Sequence, residues 1–470
     1  MKPMVRPGVT AERTIGLAGR KFAVLCTLCL GVLIAQVDTS VVNLAMQPIG
    51  SALRASVATL QWVLDAYNLT YACLLLTGGL VADLYGRRLA FQIGAAMLTI
   101  ASLGCAFAPS VGALIAARAA AGLGAALLMP ASLSIVRVVW TDQGERRRAL
   151  GVWASCNGLA FVIGPTLGGF CIAWFGWQSV FLLVVPLAFA AFVLAAIAVP
   201  ESSDPAGRHE DFPGQILGAV VLGGLVYAGI VGHQGGLSSI IGLMLAIIAL
   251  PWFLLVEHRA QGAALVPLEL FHERPFCGAL AATASMTFGV YGVIFLVPLV
   301  WQSSGFLAPQ TAGLALVPCA LLFFLIAPRS GHMAQLIGVR VMITGGTALI
   351  ACGLLVLAAT DAGRPLVLAQ AGLVLAGIGM GLNTGPLMSV AMDAVSAARS
   401  GTASALINVA RMAGATLGVA FLGTAFALWH GGADGLRAAM LAGAAVQLCG
   451  AFAAWVTIRM RTRNTSRCAK

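Results

Sequence analysis

Long apolar runs, each closed by a short polar segment, recur along the whole chain. A helix needs about 20 residues to cross the hydrocarbon layer of a bilayer. Fourteen runs meet that length, at 22–45, 59–81, 89–108, 111–134, 150–172, 179–199, 213–232, 238–256, 275–300, 311–328, 338–358, 365–387, 401–427 and 436–457. None of the connections is long enough to fold as a soluble domain. The pattern predicts an all-α integral membrane protein with 14 transmembrane helices, or 12 if the pair at 213–256 does not cross.

Composition supports this reading. Hydrophobic residues make up 60% of the chain and charged residues 9%, against about 25% charged in soluble proteins. In a soluble chain the net charge of +11 would suggest nucleic acid; here the basic residues sort by membrane side instead. With a cytoplasmic amino terminus, 22 of the 27 Lys and Arg fall on the cytoplasmic side. Arg54, Arg364 and Arg437 fall outside, and Arg118 and Arg411 lie within helices. This bias predicts a multi-pass cell-membrane protein with both termini cytoplasmic. Basic tails are expected at 1–21 and 458–470. The first apolar run is too long for a signal-peptide core. Most of the 11 cysteines sit in apolar runs, and the Cys26–Cys29 pair has no second pair or nearby histidine, so no metal is expected. No GxxxxGK[ST] or HExxH occurs. The chain is therefore read as neither an ATPase nor a membrane enzyme, with no cofactor and no nucleic-acid partner.

The chain also repeats. "GLVADLYGRR" from Gly79 matches "GHMAQLIGVR" from Gly331, and "GVWASCNGLAFVIGPTLGG" from Gly151 matches "GTASALINVARMAGATLGV" from Gly401. "GLGAALLMP" from Gly122 echoes "GIGMGLNTGP" from Gly377. Two six-helix bundles of parallel topology are expected, 22–200 and 275–457, with 213–256 inserted between them. Two such halves suit an alternating-access transporter.

Ionisable residues inside membrane helices are costly and mark function by default. Asp38, Asp65 and Arg118 are expected at one level in the outer part of the membrane, facing a central cavity. There Asp38 and Asp65 are candidate proton carriers, because burial and neighbouring charge act on a carboxylate in opposite directions. The alternatives are that Asp38 is a fixed partner holding helices together and that Asp65 is merely wetted from outside. Arg411 has no evident acidic partner in its half. At Gly79–Arg88, Gly79 is expected to let helices approach and Gly86 to permit a turn. Asp83, Arg87 and Arg88 are expected to make charged contacts that exist in only one conformation. Gly164–Pro165 should bend the fifth helix.

These stretches resemble the major facilitator superfamily over nearly the whole chain. They are most similar to its fourteen-helix, proton-driven multidrug efflux branch. "GLVADLYGRR" looks like the signature between helices 2 and 3, with Gly79, Asp83, Gly86, Arg87 and Arg88 matching and Leu80 departing. "RAAAGLGAALLMP" resembles the helix 4 motif through Arg118, with Ala121 departing. "GLAFVIGPTLGG" resembles the antiporter motif through Gly164 and Pro165, and "DTSVVNLAM" the helix 1 motif through Asp38 and Asn43. "NVARMAGATLG" resembles helix 13 through Asn408 and Arg411, with Met412 departing. The resemblance implies export of hydrophobic or cationic small molecules in exchange for protons, with Arg118 in the coupling. Open alternatives are a dedicated exporter of a metabolite, amino acid, siderophore or self-made antibiotic, and a membrane protein that senses a ligand without moving it. In a host with two membranes, a periplasmic adaptor or an outer-membrane channel would be a partner.

Overall fold

The computed structural model describes residues 8–203, 211–232, 237–260, 266–360, 366–395 and 400–458. Residues 1–7 of the amino-terminal tail and nearly all of the carboxyl-terminal one, with Arg208, Arg364 and Arg399, therefore lie outside the described residues. Fourteen long helices follow one another: α1 (Gly8–Leu53), α2 (Val57–Tyr85), α3 (Arg87–Ala106), α4 (Val111–Val139), α5 (Gln143–Phe175), α6 (Ser179–Ala198) and α7 (Phe212–Val231). The chain continues with α8 (Leu237–Ala260), α9 (Arg274–Ser303), α10 (Pro309–Ile337), α11 (Val339–Ala358), α12 (Leu366–Asp393), α13 (Ser400–Leu428) and α14 (Gly432–Thr457).

Thirteen of these are long and apolar enough to cross a membrane. The remaining one, α2, carries Gln61, Asp65 and Asn68, all buried inside the protein. Its lower hydropathy thus reflects an interior position. Helix α1 is longer than expected, beginning at Gly8 and running through Pro48 to Leu53. Asp38 consequently lies fifteen residues from that end, not the seven expected from a helix ending at 45.

The packing repeats as the sequence does. In the first half α1 packs on α5 and α6, α2 on α4, and α3 on α4 and α6. In the second, α9 packs on α13 and α14, α10 on α12, and α11 on α12 and α14. The two α-turns match as well: Gly86 between α2 and α3 has φ +121°, and Gly338 between α10 and α11 has φ +100°. Such backbone suits only glycine at low cost. Helices α7 and α8 pack mainly on each other, and α7 also meets α2 and α13.

Between the halves, α5 packs along α10, α2 along α13, and α1 along α9. Pro48 has no N–H, so the Leu44 carbonyl one turn earlier loses its helical partner. Gln302 of α9 donates to that carbonyl at 3.1 Å and so joins the halves. Gln61 of α2 donates to the Val419 and Ala420 carbonyls of α13 at 2.9 and 2.8 Å. All these bonds lie toward the end carrying the α1–α2 and α9–α10 connections. Toward the opposite end α4 and α12 make no comparable packing contact.

Gly78, rather than the expected Gly79, carries the tightest approach of α2 to α4. A Cβ at Gly78 would overlap the Ala126 carbonyl, whose helical donor Pro130 lacks, whereas one at Gly79 would make ordinary contact with Pro130 at 3.4 Å. Gly78→Ala is expected to destabilise the protein by about 1–3 kcal/mol through overpacking, and Gly79→Ala to leave it nearly unchanged. Thermal unfolding of the two variants in detergent checks this; equal losses would contradict the assignment.

Candidate coupling and cargo site

Asp38 comes from the middle of α1 and Arg118 from the second turn of α4. Arg118 Nη1 donates to Asp38 Oδ2 at 2.5 Å, and both side chains are 1% exposed. The guanidinium is held from two further directions. Its Nε donates to the Val63 carbonyl of α2 at 3.1 Å, and its carbon lies 4.5 Å from the centre of the Tyr67 ring. The Tyr67 hydroxyl in turn donates to the Ala35 carbonyl of α1 at 3.1 Å. Three helices therefore converge on one ion pair. The pair leaves one atom over, because Asp38 Oδ1 is buried with no hydrogen-bond donor.

Asp65 does not join this pair. Its carboxyl is fully buried, and neither oxygen has a hydrogen-bond partner. The alternative that it is wetted from outside does not describe this arrangement. An ionised carboxylate held there unpaired would cost several kcal/mol. Asn43 is buried one turn beyond Asp38–Thr39 and spends its amide on the Thr39 carbonyl at 2.8 Å, within its own helix. It supports α1 and does not touch the ion pair.

Across the interface, Asn408 and Arg411 sit on α13. Asn408 donates to the Ser404 carbonyl at 3.0 Å. Arg411 is half-buried and enters no ion pair or hydrogen bond among the described residues, and its Nε is sealed from solvent without an acceptor. The Tyr71 ring meets Tyr67 edge-on at 6.1 Å, and Phe161 of α5 meets Tyr291 at 6.2 Å and Phe323 of α10 at 5.6 Å. Two aromatic clusters thus stand in the interior, Tyr67 and Tyr71 of α2 beside Arg118, and Phe161, Tyr291 and Phe323 where α5 of one half meets α9 and α10 of the other.

The tyrosines were missed in the sequence. Their signal was available: the chain has only five, and Tyr67 and Tyr71 stand one helical turn apart beside a polar stripe of α2.

At the α2–α3 turn, Arg87 Nε and Nη2 both meet Asp83 Oδ1, at 2.9 and 2.8 Å, in a buried pair. The Glu201 carboxylate, just after α6, accepts from the backbone N–H groups of Arg88 and Leu89 at 3.0 and 3.2 Å. It also pairs with Arg88 at 3.5 Å. A carboxylate on those free amides caps α3 and suits its positive end. The expected gating residues are thus tied, in this arrangement, into a turn that Glu201 completes.

In α5, Gly164 faces Ser40 and Val41 of α1, and a Cβ there would overlap the Ser40 side chain. The Pro165 carbonyl faces Gly313 of α10. The Gly164–Pro165 step therefore packs against both halves, while α5 remains one helix through Pro165. Gly414 of α13 makes the matching close approach to Ala284 and Thr287 of α9. Among the described residues no cluster of three His, Cys, Asp or Glu gathers.

Comparison with known proteins agrees with this architecture. The chain superposes on the xylose transporter XylE from E. coli, in a partially occluded inward-open conformation, with a TM-score of 0.66 at 16% identity, covering 94% of this chain and 98% of that one. Multidrug resistance protein Stp of Mycobacterium tuberculosis is 34% identical over 403 residues, 85% of this chain and 75% of Stp. A methylenomycin A resistance protein of Bacillus subtilis is 33% identical over 447 residues, 92% of this chain and 94% of that protein. The Major Facilitator Superfamily model matches residues 28–419. With that match and relatives above 30% identity along most of both chains, the resemblance first carried by the α2–α3 turn becomes membership: the chain belongs to the Major Facilitator Superfamily.

Proposed function

We propose that this protein is a multidrug efflux transporter that moves hydrophobic or cationic small molecules, antibiotics among them, out of the cell in exchange for protons. The similarity to named resistance and efflux proteins supports export. The observation that carries the coupling is the buried Asp38–Arg118 pair with its one spare carboxylate oxygen. The units are residues 22–200, 213–256 and 275–457, in the cell membrane with both termini cytoplasmic. The arrangement described here then faces the cytoplasm, because the halves are bonded toward the outer end. In a host with two membranes, a periplasmic adaptor or outer-membrane channel would complete the route; that part rests on the export reading alone.

In the proposed cycle, Asp38 is ionised and paired with Arg118 while the protein faces inward and cargo enters. Turning outward exposes the pair, and a proton from outside takes the free Oδ1. The neutral acid no longer needs Arg118, so the α1–α4 contact loosens and cargo leaves. The protonated form costs less to carry through the membrane interior, and it returns inward and releases the proton. Asp65 is the second candidate carrier. Asp83, Gly86, Arg87 and Arg88 set the balance between the two states.

Asp38→Asn should abolish proton-driven accumulation of an exported dye in vesicles while leaving exchange down the dye's own gradient. It strands Arg118, so it should also destabilise the protein by about 3–5 kcal/mol, as removing one partner of a buried pair does. Asp38→Asn with Arg118→Gln should recover much of that stability and none of the accumulation. If the single variant still concentrates dye in response to a proton gradient, Asp38 is not the carrier and Asp65 takes its place.

Orientation is tested separately. Reporter fusions at Gly235 and Gly432 should both read outside the cytoplasm. A cytoplasmic reading at either position would overturn the assigned sides or the pair of crossings at 213–256.

A further inference from the structure

Helix α7 is tied to both halves, at opposite ends. At the end where Gln61 joins α2 to α13, the Thr424 hydroxyl of α13 donates to the Gly229 and Ile230 carbonyls of α7. Toward the other end, the Gln215 amide of α7 donates to the Cys73 carbonyl of α2 and accepts from the Thr77 hydroxyl. The helix therefore crosses the seam between α2 and α13 as a strap. Beneath it the seam is not closed along its whole length. Gln61 bonds α2 to Val419 and Ala420 of α13. Farther along both helices, Leu76 and Val409 instead line a cavity of about 470 Å³.

This cavity takes its walls from all three parts of the chain. Besides α2 and α13, Leu222 of α7, Phe253 of α8 and Ala284 of α9 line it. No charged side chain among the described residues does so. Gln215 and Cys73 are its polar side chains, and both ends of the Gln215 amide are spent on α2. A molecule rich in polar groups would leave them unpaired here, at a cost. Hydrocarbon would leave nothing unpaired. An apolar cavity of about 150 Å³ already takes up benzene, and this one is roughly three times that size.

Hydrocarbon also lies within reach. Helix α8 is the least buried of the candidate membrane spans, so it stands toward lipid. Leu250 of α8 and Phe271, in the short turn at Leu268–His272, line the cavity and are each 44% exposed. Nearly all the lining residues come from the parts of their helices nearer the α2–α3 and α8–α9 connections. On the orientation proposed above, that is the cytoplasmic leaflet.

We propose that this cavity is a binding site for one acyl chain of a membrane lipid, drawn from the leaflet beside the α8–α9 connection. The chain fills the wedge between α2 and α13 beneath α7 and packs on both halves and the insert at once. Closing α2 on α13 at this end, as alternating access requires, displaces it. The site does not depend on what the protein exports.

The test uses the full-length protein in phosphatidylcholine nanodiscs containing a trace of phosphatidylcholine with a diazirine near the end of one acyl chain. After irradiation, cross-links are located by peptide mass spectrometry. Wild type should be labelled on α13 at 406–413, and also on α8 from the surrounding lipid. Ala219→Phe of α7 and Ala281→Phe of α9 each place a ring in the cavity from a different wall. Each should lose the α13 labelling and keep that on α8, which reports a folded, inserted protein. A lipid with its diazirine beside the headgroup should not label 406–413. Excess ethidium should leave the wild-type labelling unchanged. Absence of labelling at 406–413 in wild type, its persistence in both variants, or equal labelling by the headgroup probe would overturn the proposal. So would displacement by ethidium, which would make the cavity a place for cargo. If one variant fails to fold, the other decides; if both fail, the headgroup and ethidium arms decide. Ethidium efflux from cells reads export on its own. A wild type that exports ethidium without labelling at 406–413 defeats only the lipid site. One that is labelled there but exports nothing defeats only the export reading.

Discussion

A charge inside a membrane must be matched, and the Asp38–Arg118 pair is where this protein meets that constraint most fully. Each partner would be costly alone, and together they are still held out of water by three helices. Removing two ions from water costs more than their attraction returns unless the remaining polar atoms are satisfied. Arg118 is satisfied by Asp38, the Val63 carbonyl and the Tyr67 ring, whereas Asp38 keeps one oxygen unsatisfied. That asymmetry turns a packing element into a candidate switch. A proton on the spare oxygen removes the reason for the pair and with it one tie between α1, α2 and α4.

The rest of the architecture lets such a change be used. Small residues line the contacts on which the halves must shift. Gly313 of α10 against the Pro165 carbonyl and Gly169 of α5 against Pro309 and Gln310 bring backbones of the two halves together without interlocked side chains. The hydrogen bonds that join the halves use backbone carbonyls, including the Leu44 carbonyl that Pro48 leaves without a helical partner. Such contacts can break and reform as units, because packed interfaces tend to have discrete arrangements.

Much of this was legible in the sequence, and the reasons differ by element. The helices announce themselves because a bilayer demands long apolar runs, and α7 and α8 were legible on length alone. The duplication was legible because Gly86 and Gly338 both require left-handed backbone. Asp38 and Arg118 stood out as charges in apolar helices at a shared depth, but that depth was shared by Asp65 too, and only the fold shows which carboxylate Arg118 takes. Other features depend on contacts between distant residues. Glu201 caps α3 from a place 113 residues away, and no local pattern announces it. Gly78 and Gly79 are alike in sequence, and only the approach of the Ala126 carbonyl distinguishes them. Asp65 resembles Asp38 in the chain, yet burial leaves it without a partner. The far end of α1 was placed too early because "MQPIGSAL" reads as a polar stop, although α1 continues through it as helix.

The central claim is that Asp38 exchanges a proton as cargo binds and leaves. Its most direct test is proton release from purified protein in weakly buffered solution when a dye that the wild type exports is added, followed with a pH indicator. The account predicts release on dye binding by wild type and none by Asp38→Asn, with dye still bound by the variant. Undiminished proton release from Asp38→Asn would contradict it.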